Sequence, residues 1–141
     1  MSNTLANSKE AMKKVLISSS PVNEIMNVNY GYVQGLRLVD YENPERSVYF
    51  KDDKMLVTVI IPDEQGNFPT LAEQWLQTFG QPDNQLPSIE GKNSWVWVYG
   101  QKGLTATVDE YGEVLLVEKF EPMTTRHYEK TLYRMPPVFT K

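Results

Sequence analysis

Residues 93–100 read NSWVWVYG, a run that alternates large aromatics with valines. Successive side chains of a β-strand point to opposite faces, so Trp95, Trp97 and Tyr99 share one face and Val96 and Val98 the other. Neither face is polar, whereas a strand with one solvated face alternates apolar with polar residues. Two readings follow. In one, the aromatics are core beneath helices and the valines are weakly exposed. In the other, helices cover the valines and leave a ladder of Trp and Tyr open, a surface of the kind that dominates binding hot spots.

The flanking sequence has a rhythm. Upstream, Leu71, Trp75, Leu76 and Phe79 fall on one face of a helix over 71–79, with Thr70 as its expected N-cap. Gly80 stands where a left-handed C-cap is expected, and Pro82 follows. A loop over 81–93 leads into SWVWVY, then GLTATV, a turn around DEYGE, and VLLVEKF closed by Pro122. The first half has a similar order: a short helix over 9–17 capped by Ser8, an ambiguous segment, a strand in YGYVQGLRLVDY, the turn ENPE, the strand RSVYFK, the two-residue turn Asp52–Asp53, and KMLVTVIIP. The fold expected from this is α+β: tandem helix-plus-three-strand repeats over 8–62 and 69–122, in one antiparallel sheet with the helices on one face. A C-terminal helix and tail follow over 123–141, the whole being a single domain.

The totals agree with a globular chain. Its 141 residues are 40% hydrophobic and 23% charged, enough for one domain with a real core. A net charge of −4 argues against nucleic acid as a partner, which demands a basic footprint. There is no cysteine, which excludes disulfides, thiol catalysis and cysteine zinc sites. No apolar run approaches the roughly 20 residues that span a bilayer. MKKVLISSSP imitates a secretory signal, but its apolar stretch of Val15, Leu16 and Ile17 is too short and lies inside the chain. A cytoplasmic protein is expected on that basis, unless a signal has been removed.

Catalytic chemistry is thinly represented. His127 is the only histidine and sits between Arg126 and Tyr128, with no neighbouring nucleophile or carboxylate suggested. It is expected on a helix surface. The pairs Asp52–Asp53, Asp63–Glu64 and Asp109–Glu110 fall at turns, where Asp bonds nearby backbone amides. The glycines form neither a GxGxxG nor a phosphate loop. Arg126, Lys130, Arg134 and Lys141 suit a solvated helix face. No catalytic residue, cofactor or metal is expected.

The helix ending FGQPDN, followed by a loop and WVWVY, resembles the BLIP-like domains, the fold of the β-lactamase inhibitor protein, and the related SmpA/OmlA lipoproteins of outer-membrane assembly. The residues that carry the likeness are Gly80, Pro82, Trp97 and Tyr99, and it covers about half the chain. The first half has SSSPVN in place of the Gly-x-Pro turn, and the lipidated cysteine of those lipoproteins is missing. The resemblance implies a curved sheet with a face free to bind protein, without catalysis.

The function expected is therefore a non-enzymatic protein-binding module. Its candidate contact residues are Trp95, Trp97, Tyr99 and Tyr49, its partner is a protein, and its oligomeric state is open. The alternatives are a dimeric secretion-type chaperone and an NTF2-like small-molecule-binding domain or enzyme.

Overall fold

The structure, a computed structural model, describes residues 21–42, 45–63 and 68–136. The helix expected over 9–17 lies outside these residues, as do Asn43 and Pro44 of the ENPE turn and the end of the tail. Among the described residues, eight antiparallel strands form one sheet: β1 (Pro21–Tyr30), β2 (Val33–Tyr41), β3 (Arg46–Lys51), β4 (Lys54–Ile60), β5 (Asn84–Pro87), β6 (Trp95–Tyr99), β7 (Leu104–Val108) and β8 (Val114–Phe120). Their spatial order is β1-β2-β3-β4-β8-β7-β6-β5, two four-stranded meanders joined where β4 pairs with β8. Helix α1 (Ala72–Phe79) links the meanders, and α2 (Thr125–Thr131) follows β8.

This corrects the expected α+β repeat of one helix with three strands. Strand far outweighs helix, and each meander has a fourth strand that the sequence pattern does not announce. In β1 the period of two is broken, because register shifts interrupt its pairing with β2 and Asn27 takes a φ of 60°. In β5 the segment NQLP is short and polar, and pairing with β6 holds it extended where a loop was expected. Asp52 and Asp53 do form a two-residue turn, both with positive φ as a tight hairpin of this kind requires.

The two helices of the described residues, α1 and the C-terminal α2, lie on opposite faces of the sheet. α1 places Ala72 and Trp75 in a core with Ile60, Tyr99, Ala106 and Val117. α2 places Tyr128 in a different core with Tyr30, Val57, Val98 and Phe120, and Leu132 just beyond the helix joins it. Val98 and Tyr99 are neighbours in β6, so the two cores lie on opposite sides of the sheet.

The sheet curls around α2. Tyr30 on β1 donates a hydrogen bond to Glu118 on β8, with β2, β3 and β4 lying between them. Four strand spacings amount to about 19 Å on a flat sheet, further than a tyrosine and a glutamate side chain together extend. The β1–β2 turn also docks on the end of α2, where the Tyr32 N–H donates to the Thr131 carbonyl at 2.8 Å. A Cβ at Gly31 would lie 2.4 Å from that same carbonyl oxygen, so glycine is required for the approach as well as for its φ of 57°.

Candidate functional site

The strand NSWVWVYG starts at one end of the sheet and passes under α1. Tyr99 is only 3% exposed. Its ring lies 5.7 Å from that of Trp75 and 5.9 Å from that of Phe79, and its hydroxyl donates to the Gly80 carbonyl at 2.9 Å. The helix therefore ends on the strand it covers. Gly80 has φ 78° and ψ −162°, a conformation available essentially to glycine, which differs from the left-handed cap expected. Asp83 then accepts from the Gly100 N–H at 2.9 Å, and its own N–H donates to the Val98 carbonyl at 2.7 Å. FGQPD and WVYG are thus two halves of one clasp.

Trp97 is half-buried against the α1 core, whereas Trp95 belongs to neither core and is 45% exposed. Tyr49 is half-buried on the other side of the sheet, its ring 4.6 Å from that of Tyr30. The structure brings Trp95, Trp97 and Tyr99 onto one face, leaves only Trp95 of the three open, and separates Tyr49 from them.

Other exposed apolar groups gather at the Trp95 end. Trp95 pairs with Val108, the last residue of β7, and the turn from β7 to β8 follows at once. Asp109 builds that turn, accepting from the Tyr111 and Glu113 N–H groups at 2.9 Å each. Tyr111 at its tip is 81% exposed. The Asn93 amide, two residues before Trp95, donates to the Glu110 carboxylate at 3.3 Å and so ties the turn to the start of β6. On the other side, Leu71 bridges to Glu113, and the Ala72 N–H donates to the Gly112 carbonyl at 2.8 Å. The N-terminus of α1 is thereby capped by this turn and by the Gln74 side chain at the Leu71 N–H, and not by the Thr70 hydroxyl expected from sequence. Leu71 is 41% exposed. Trp95, Tyr111 and Leu71 are thus all exposed at one end of the sheet, where Glu73, Glu110 and Glu113 are exposed as well.

A second cluster went unnoticed in the sequence. Glu118 is 2% exposed and accepts hydrogen bonds from the Tyr30 and Tyr128 hydroxyls, and from the Thr105 hydroxyl at 2.7 Å. Burial, and then the negative charge of Glu118, push both phenols above the ordinary tyrosine value, so both stay protonated donors. The Arg134 guanidinium lies 5.0 Å above the Tyr30 ring and pairs with Glu90 at 2.9 Å. The void bounded by Glu118, Tyr128 and Arg134 is about 10 Å³, room for a single water at most. A buried carboxylate with three donors and no space for a substrate acts as a structural clasp between β1, β7, β8 and α2. Its signal in the sequence was an acid in phase with Leu116 and Phe120 in VLLVEKF.

His127 is exposed on α2, as expected. Among the described residues, no group of three His, Cys, Asp or Glu side chains could hold a metal ion, and no helix is long and apolar enough to cross a membrane. No family model, curated protein or solved structure matches this chain.

Proposed function

We propose that this protein is a non-enzymatic protein-binding module whose contact surface is the end of the sheet marked by Trp95, Tyr111 and Leu71. The observation that carries the proposal is the exposure of Trp95. It is a tryptophan left out of both cores, while the aromatics in phase with it, Trp97 and Tyr99, pack against α1. Large aromatics supply contact area at little entropic cost and are enriched among residues that dominate binding energy. Tyr111 and Leu71 add exposed apolar surface at the same end of the sheet, and both sit on backbone that the Asp109 turn and its bonds to α1 hold in place. A preformed surface spends less of its binding energy on ordering.

Strand addition at a sheet edge is a poorer reading, because both edges of the sheet, as the described residues form it, are blunted. β1 is broken by register shifts, and β5 has four residues and ends in Pro87. The reading as a face-wide aromatic ladder narrows to its Trp95 end.

A photo-crosslinking residue in place of Tyr111 tests the proposal. In native lysate, and on irradiation, it is expected to form an adduct of discrete mass. The same group in place of the exposed Lys130 should not. The reading fails if neither position gives an adduct or if both give the same one.

A further inference from the structure

We infer that the segment bound at the Trp95 end is cationic: a stretch of a partner protein carrying lysine or arginine beside an apolar anchor. This rests on the protein-binding reading above and says what kind of sequence satisfies it. Acids from two elements are exposed at the same end of the sheet as Trp95. Glu73 lies in the first turn of α1, while Glu110 and Glu113 lie in the β7–β8 turn, and all three are exposed. Asp109 adds a fourth negative charge at the base of that turn.

Among the described residues, the opposing charge at this end is small. In the loop between β5 and β6, residues 88–94, Lys92 is the only cation. Arg134, which reaches this loop, is engaged by Glu90. Glu110 has a neutral partner in the Asn93 amide, so its charge is not cancelled by that bond.

An exposed tryptophan rimmed by carboxylates suits a cation in two ways. Its ring face attracts ammonium or guanidinium groups, and the carboxylates steer and hold them. An anionic partner, including an acidic membrane surface or nucleic acid, meets like charge on the same rim. A second copy of this chain is disfavoured there as well, because a two-fold contact through this patch sets acidic rim against acidic rim.

Two fluorescein-labelled 12-residue peptides provide the test, one alternating Lys with Leu and the other Glu with Leu, titrated by anisotropy. The lysine peptide is expected to bind at least about tenfold more tightly than the glutamate peptide at low salt, with the difference shrinking as salt is raised. The double variant Glu110→Lys/Glu113→Lys should lose about tenfold for the lysine peptide and gain for the glutamate peptide. Trp95→Ala should weaken the lysine peptide without reversing the preference. Equal binding of the two peptides, binding of neither, or no effect of the double variant overturns the inference. So does a concentration-dependent dimer in light scattering that Trp95→Ala dissolves, since the occupant would then be a second copy. Crosslinking from position 111 separates the two failures. An adduct that persists in the double variant leaves the binding reading standing and removes the cation, whereas loss of the adduct in the otherwise native chain removes the binding reading itself.

Discussion

The two helices cover opposite faces of one sheet by different chemistry. Beneath α1 the contact is dry and aromatic: Phe68 stacks on Trp75, the Phe79 and Tyr99 rings pack tilted against it, and the hydroxyl of Tyr99 reaches a backbone carbonyl. Beneath α2 a buried carboxylate gathers hydroxyls from β1, β7 and α2. The dry face is held by volume and shape, and the polar face by satisfied donors whose protonation matters. A site free to change for function should therefore lie where neither chemistry reaches, and the Trp95 end is such a place.

The largest expected effect breaks the dry face. Trp75 is fully buried, so Trp75→Ala should cost about 3–5 kcal/mol in a urea unfolding titration. The polar face should break more gently and in a different way. Tyr128→Phe removes one donor to Glu118 and is expected to cost about 1–3 kcal/mol, with the α1 core unaffected.

Alkaline pH sharpens the contrast. Tyr30 and Tyr128 hold their protons more tightly in the folded than in the unfolded chain. Their contribution is complete below about pH 10, the unfolded tyrosine value, and declines as pH rises beyond it. Unfolding midpoints compared at pH 8 and pH 10.5 should fall more steeply for the native chain than for Tyr128→Phe. An identical fall in both would mean that folding does not raise the proton affinity of the Tyr128 phenol, by burial or by Glu118. Trp95→Ala sits at the bottom of the scale, with an expected change in stability within about 1 kcal/mol, because the ring belongs to neither core.

Much of this division was written in local pattern. The alternation in SWVWVY, GLTATV and VLLVEKF and the stripe Leu71–Trp75–Phe79 announce β6, β7, β8 and α1 directly, because each element obeys its own period. β1 and β5 were hidden because their extended form comes from pairing, with a bulge at Asn27 and a polar NQLP that no period marks. The helices' sides were hidden too: a strand apolar on both faces shows that both are covered but not by which helix. For the same reason the site was half legible. Alternation put Trp95, Trp97 and Tyr99 on one face, but only the tertiary path of α1 decides which of them remains open. Tyr111 lies within the turn expected around DEYGE and Glu118 within the strand VLLVEKF, and no local period assigns a role to either one.

In the proposed function, Trp95 serves binding and not folding. The most direct measurement is partner retention from native lysate by the native chain and by Trp95→Ala, each quantified alongside its urea unfolding midpoint. A protein retained by the native chain and lost from the variant, with the two midpoints coinciding within error, is the expected outcome. Retention of the same protein by both chains, or a variant that loses it only because it has unfolded, would contradict the claim.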